Sequence, residues 1–420
     1  MRTVFSGGSV FDGTGTALGE ADVTVEDGRI TAVGPGLDGD ESVDVSGKTL
    51  LPGFFDCHVH VTMSNVDFLG QAQKPFSLRF FEAIHNLAAT LRVGITTARD
   101  AGGADLGLRQ ALESGLVAGP RLQVSLTMLS QTGGHGDDWL PSGCHLAIFP
   151  EYPGMPSSIV DGEDEMRRKV RELVRNGADV IKVATSGGVL SPRSKPDTRG
   201  FGPEELDVLV AEAQAAGLAV MAHAQSTTGI KNAVRAGVRS IEHGIYLDDE
   251  AIQLMLDHGT YLVPTLVAAT GVISAAERGL PVPEWGVRKA REVVEIHADS
   301  FGRAVAAGVK VAMGTDSAVT PHGENLRELE LMVAGGMSPE DTLVATTRTA
   351  AELMGLEGEL GTLEPGKRAD LVVVDADPFD FVGLDRRIAA VYQDGRLVAG
   401  SGAASDELEA LGVRSAALRS

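Results

Sequence analysis

The chain holds two cysteines, Cys57 and Cys144, in 420 residues, too few for a disulfide framework. Cys57 lies inside a β-patterned run and reads as core packing. Basic residues are also short: 36 Lys and Arg stand against 58 Asp and Glu, a formal charge of −22. That balance repels polyanions and argues against nucleic acid or an anionic membrane surface as a partner. No charge-free apolar run approaches the roughly 20 residues that span a bilayer. The opening MRTVFSGGSVFDGTG breaks into glycines before an apolar signal core forms, so a cytoplasmic location is the expectation.

What is present is a long chain with ample apolar content. At 43% hydrophobic, 420 residues suffice for a barrel of about 250 residues with an accessory domain. Residues 1–52 hold short β-patterned runs between glycine and aspartate turns, and 360–402 repeat the pattern in ADLVVVDADP and AAVYQDGRLVAG, with a turn at Asp394 and Gly395. Neither piece can bury a core alone, so a single small β-sandwich built from both chain ends is expected. Over 53–359, apolar strands alternate with amphipathic helices such as EDEMRRKVRELVRNG and PEELDVLVAEAQAAG, each with an acidic first turn and a closing glycine. Strands are expected near 53–58, 95–100, 121–127, 179–184, 218–223, 239–243, 260–265 and 309–315. This is the α/β pattern of a (β/α)8 TIM barrel. SPEDTLVATTRTAAELMG reads as two closing helices, and 403–420 as a helical or frayed tail.

Side chains that bind metals fall at the ends of these strands. In GFFDCHVHV, His58 and His60 stand one residue apart, so both imidazoles point to one side of a strand. Lys182 in DVIKVA, His223 in LAVMAHAQS, His243 in RSIEHG and Asp316 in VKVAMGTDS all sit late in their segments. In a parallel barrel those ends share one mouth, where nitrogen-rich ligands suit a divalent transition metal, zinc above all. Lys182 is the sharpest signal. Most cations of this chain are arginine, and an unpaired ammonium in a strand buried on both faces costs several kcal/mol.

These residues, in this order, resemble the pattern of the metal-dependent amidohydrolase superfamily. LPGFFDCHVH, SQTGGHGD, KVATSGGVLSP, IEHG, MGTDS and LGTLEPGKRADLVVVD look like its branch of Xaa-Pro dipeptidases, carboxypeptidases and ochratoxin-hydrolysing amidases. The resemblance implies two divalent metal ions, with His58, His60 and Asp316 on one, His223 and His243 on the other, and an N-carboxylated Lys182 between them. It implies a metal-bridging hydroxide as nucleophile, with Asp316 moving its proton, and His135 of QTGGHGDD hydrogen-bonded to the scissile carbonyl.

The expected activity is hydrolysis of amide bonds in dipeptides or N-acyl amino acids, Xaa-Pro and bulky aromatic amides included. The alternatives are a cyclic-amide or carbamate hydrolase or a deaminase on the same metals, and a barrel without catalysis, a class that usually loses ligands retained here. The loop over 130–158 carries Trp139, Phe149 and Tyr152, which would shape a pocket for a bulky group or contact another subunit. Arg193 and Lys195, in the loop after Lys182, are candidates to receive a substrate carboxylate. Several carboxypeptidases of this branch have a tyrosine just after the AHA run, where this chain has Gln225, which leaves the need for that carboxylate open. His322 is expected to orient the Asp316 loop, and His297 to pack in a helix. A homo-oligomer of even number is expected.

Overall fold

The computed structural model of the chain describes residues 1–15, 19–146, 148–375 and 377–400, so the expected tail at 403–420 lies outside the described residues. Its centre is α/β. Phe54–Val59, Ile95–Asp100 and Arg121–Val124 form one parallel sheet, with Ile95–Asp100 in the middle. Met128–Leu129, Val180–Ala184, Ala219–Ala224, Ser240–His243 and Tyr261–Val263 form a second, in that order. VIKVA of Val180–Ala184 is buried at every position, as a parallel strand covered on both faces must be.

Hydrogen bonds join the two sheets at both seams. At one seam the expected strand 121–127 is shorter than anticipated. Leu126 adopts a left-handed φ of 67°, which splits the strand into Arg121–Val124 and Met128–Leu129, and the Asp179 N–H reaches the Val124 carbonyl at 2.8 Å. At the other seam, 310–317 lies between Tyr261–Val263 and Phe54–Val59. Leu262 donates to Lys310 (2.8 Å), Cys57 to Met313 (2.9 Å) and Asp316 to the His58 carbonyl (2.7 Å). The expected strand at 309–315 is therefore extended chain with a single bridge, Leu262 to Val311, and no regular ladder. The reason is local: the Met313 N–H goes to the Ala345 carbonyl, and Asp56 takes the N–H and hydroxyl of Thr315.

The helices follow the sequence closely. Glu163–Arg175 opens on Glu163, Asp164 and Glu165, which complement the helix dipole, and Pro203–Ala215 places Pro203 at its start. Pro339–Ala345 and Arg348–Met354 are the two closing helices. Among the described residues no helix is long and apolar enough to cross a membrane. Cys57 is buried and Cys144 exposed, both free.

The chain ends make two further sheets. The first orders Arg29–Gly34, Asp22–Glu26, Arg2–Ser6 and Glu41–Asp44. The second orders Arg396–Gly400, Ile388–Gln393, Leu371–Asp375, Lys48–Pro52, Ser9–Val10 and Gly19–Glu20, so three strands from the C-terminal end join three from the N-terminal end where Leu371–Asp375 pairs with Lys48–Pro52. Phe5, Val23 and Ile30 of the first share a buried cluster with Leu50, Leu371 and Val373 of the second. Asp394 and Gly395 have φ of 49° and 73°, the left-handed pair that a two-residue hairpin requires. Arg121 of the centre pairs with Asp370 and, at 2.7 Å, with Asp394, tying the terminal strands to the core.

Candidate active site

Five histidines meet at the carboxyl ends of the central strands. Ring centroids run from His60 to His58 at 5.5 Å, His58 to His243 at 5.2 Å, His243 to His223 at 4.6 Å and His223 to His135 at 4.1 Å, the last pair stacked. Asp316 Oδ1 stands 3.2 Å from His60 Nε2 and 3.5 Å from His58 Nε2. His58, His60 and Asp316 offer three ligand atoms within 4.8 Å of one another, a set that could hold a metal ion.

Each imidazole is oriented by its other nitrogen. His58 Nδ1 donates to Glu242 (2.8 Å) and His60 Nδ1 to the Gly102 carbonyl (2.8 Å), which leaves both Nε2 atoms to face Asp316. His243 Nδ1 pairs with the Thr265 hydroxyl at 2.6 Å. His223 is turned the other way: its Nε2 donates to the Gly187 carbonyl at 3.0 Å, so Nδ1 is the free nitrogen. This is the supporting shell that metal-binding histidines need to fix tautomer and direction. Gly188 allows the adjoining loop to lie against His135, because a Cβ there would fall 2.3 Å from that ring.

Burial sets the charges. It lowers His58 and His135 to about 4, so both rings are neutral at pH 7. Lys182 is 1% exposed, its Nζ has no hydrogen-bond partner, and burial lowers it to about 8. Burial also pushes Glu242 upward, but Arg99 and His58 outweigh it and hold the carboxyl at about 2. Asp316 is likewise held well below the usual carboxylate range against its burial by His58 and His60. An orphaned buried amine among pre-oriented imidazoles and ionised carboxylates fits a metal site by its donor chemistry.

The backbone is strained here as well. His243, Thr265 and Asp316 have φ of 71°, 50° and 60°, left-handed conformations that cost of order 1–3 kcal/mol each and gather at functional sites.

The cluster floors a cavity of about 110 Å³. Its upper wall is apolar, with Met63, Phe68, Phe149, Val189, Ile245 and Val272. Of the residues singled out in the sequence, His58, His60, Lys182, His223, His243, Asp316, His135 and Gln225 line it together. Others do not. Trp139 stacks under the Arg193 guanidinium at 4.2 Å, Lys195 is exposed, and Tyr152 packs on Phe76 at 4.9 Å. From the 130–158 loop Ile148 and Phe149 reach the cavity beside His135, Phe149 lying on the His60 ring at 5.5 Å. His322 donates to the Met63 carbonyl at 2.9 Å and ties the loop after Asp316 to the one after His60.

Sequence reasoning missed the supporting residues. Arg99 and Glu242 are a fully buried ion pair at 3.0 Å, visible beforehand only as charges inside apolar runs. Asp100 collects the N–H groups of Val61, Gly102 and Ala104 and shapes the turn that holds His60. Glu328, fully buried, accepts from Leu266 and Val267 and fixes the chain just after Thr265. His297, expected to pack, lines the cavity and donates to the His243 carbonyl at 2.8 Å.

A parallel α/β core carrying a pre-oriented, metal-competent histidine cluster under a cavity defines a hydrolase of the metal-assisted class. A profile of the amidohydrolase family matches residues 49–398, and the chain belongs to that family, whose members hydrolyse C–N bonds and are generally metal-dependent. It is 32% identical to ochratoxinase of Aspergillus niger over 95% of this chain and 87% of that protein. Among solved structures it resembles a Xaa-Pro dipeptidase with bound methionine in its active site, at TM-score 0.86 and 32% identity, covering 94% of this chain and 99% of that one. It also resembles a prolidase complexed with N-methylphosphonate-L-proline, at TM-score 0.86 and 36% identity, covering 96% and 100%.

Glu242 should matter for metal binding more than for folding. Glu242→Gln removes the charge that orients His58 and should weaken cation affinity by about 10–100-fold. Titration of the stripped variant with zinc reads this directly; unchanged affinity would assign Glu242 to packing alone.

Proposed function

We propose that the chain is a binuclear metal-dependent hydrolase of amide bonds in N-acyl amino acids, dipeptides or bulky aromatic amides. The observation that carries this is the convergence of five histidines, Asp316 and the unpartnered Lys182 beneath one apolar cavity. We take the central strands over 53–359 as a (β/α)8 TIM barrel and the terminal sheets, 1–52 with 360–402, as a β-sandwich domain.

His58, His60 and Asp316 would hold one divalent ion, zinc by the nitrogen-rich donor set, and His223 and His243 the other. Bound there, the ions would acidify a water and polarise the acyl carbonyl. Lys182 would bridge them as a carbamate, formed when its neutral amine adds CO₂ and releases one proton. Its depressed pKa of about 8 makes that amine available near neutrality.

The protein's own groups do the rest. The neutral His135 donates a ring N–H to the scissile carbonyl oxygen as negative charge develops on it. Asp316 takes a proton from the attacking water and delivers it to the leaving nitrogen, so the C–N bond breaks as the new C–O bond completes the acid. The apolar wall excludes bulk water and receives a hydrophobic substituent. Exposed Leu69, Phe76 and Phe81 on one segment support a homo-oligomer of even number, which light scattering would read.

A panel of N-acyl amino acids and dipeptides against cyclic imides, carbamates and aminopurines tests the reading; turnover confined to the second group would replace it with the cyclic-amide or deaminase alternative. Metal analysis of active protein should give two ions per chain. Lys182→Ala should lose at least one, with part of the activity restored by a short carboxylate such as acetate. Asp316→Asn should lower kcat by roughly 10² to 10⁴ with KM little changed, once metal loss is excluded. His135→Asn should cost about 3 kcal/mol in kcat/KM with metal content intact. A His135 variant with full kcat/KM and a lowered Tm would reduce that residue to a loop support.

A further inference from the structure

The cavity has an unusual electrostatic composition for a site expected to hold a dipeptide or an N-acyl amino acid. Among the described residues that line it, the one lysine or arginine is Lys182 on its floor. The cations of the neighbouring loop are engaged elsewhere. Lys289 Nζ donates to the carbonyls of Ser191 and Ser194, each at 2.7 Å, and Arg193 lies on Trp139. A carboxylate placed against the apolar wall would therefore lose its hydration without gaining a partner, which costs several kcal/mol.

Besides Lys182 and His135, to which the proposed reaction assigns roles, a further polar side chain lines the cavity unpartnered. Gln225 is 5% exposed and lines the cavity, and its Oε1 has no hydrogen-bond partner. Its backbone is already fixed: its N–H donates to Ser186 Oγ at 2.7 Å, and its carbonyl accepts from Tyr246 at 2.9 Å. The residue's backbone is thus fixed, and its side-chain amide keeps its own hydrogen-bonding capacity unspent. Whichever way it is turned, it presents one acceptor and two donors on neighbouring atoms. A second amide matches that pattern with a pair of hydrogen bonds and adds no charge, whereas a carboxylate would leave the acceptor facing an anion.

We propose that Gln225 is a specificity-determining residue and that the substrate, beyond its scissile amide, carries a neutral carboxamide in place of a free carboxylate. This rests on the amide-hydrolase reading. The substrate class is hydrophobic N-acyl amino acid amides and related uncharged amides, with the apolar group against Val189, Ile245 and Val272.

Matched pairs test it on the metal-loaded enzyme: N-benzoyl-L-phenylalaninamide against N-benzoyl-L-phenylalanine, and succinamic anilide against succinic acid monoanilide, which put the group on the amine and acyl sides respectively. The carboxamide should be favoured by about tenfold or more in kcat/KM in one pair, and Gln225→Leu should bring that ratio near one. Gln225→Met, closer in shape, replaces the leucine variant if the latter does not fold. Calorimetric binding of 3-phenylpropanamide and 3-phenylpropanoate reads the same preference without turnover, and its ratio should collapse in the same variants. Preference for the acid in both pairs, or a carboxamide preference that survives in Gln225→Leu or Gln225→Met, overturns the proposal while leaving amide hydrolysis intact. Turnover of neither pair alongside turnover of cyclic imides or aminopurines would instead sink the amide-hydrolase reading, and this proposal with it.

Discussion

The buried pair of Arg99 and Glu242 is the constraint on which the site depends. Arg99 starts on one strand, donates through Nε to the Cys57 carbonyl at 2.8 Å, and reaches Glu242 on a strand of the other sheet at 3.0 Å. Glu242 in turn accepts from Ser240 at 2.5 Å and from His58 at 2.8 Å. Two ions inside an apolar core are weak evidence for stability, since desolvation can exceed their attraction. Their arrangement has another consequence. It fixes an anion under His58 and so decides which nitrogen of that ring faces Asp316. His243 and His223, next along the cluster, take their orientation from Thr265 and the Gly187 carbonyl.

The same burial has opposite effects on different groups, and the site uses the difference. Lys182, His58, His135, His223 and His243 are pulled toward their neutral forms, while Glu242 and Asp316 remain ionised because cations and imidazoles stand beside them. A neutral His135 can donate a hydrogen bond without repelling a nearby cation. A lysine near its neutral form is a nucleophile for CO₂. The left-handed conformations of His243, Thr265 and Asp316 fit this picture, since such strain persists only where surrounding bonds over-determine the backbone, as Glu328 does beside Thr265.

Much of this was legible in the sequence because metal chemistry restricts residue types. Histidine, lysine and aspartate at strand ends have few other reasons to recur, and the parallel-strand pattern predicts that such ends meet. All six residues named as ligands do line one cavity, together with His135 and Gln225. Arg193, Lys195, Trp139 and Tyr152 stand out in the sequence by loop position alone and do not line it, because a loop has no periodicity to say which side chains turn inward. Arg99 and Glu242 escaped notice for a different reason: a charge inside an apolar run shows that something must pair with it, but the partner comes from another strand and appears only with the fold. The eighth strand illustrates the same limit. VKVAMGT has the composition of a strand, yet the Met313 N–H goes to the Ala345 carbonyl and the Thr315 N–H to Asp56, which no local pattern reveals.

The exterior and the cavity are complementary in what they reject. With a net charge of −22, the surface disfavours the approach of anions over distances of about a Debye length. A cavity wall without a free cation then disfavours their burial. A neutral amide meets neither barrier: it partitions into the apolar wall by the hydrophobic effect, and its polar end finds Gln225. Discrimination of this kind arises largely from what the site withholds from a carboxylate, and it needs no contact that improves binding of the preferred substrate beyond one pair of hydrogen bonds.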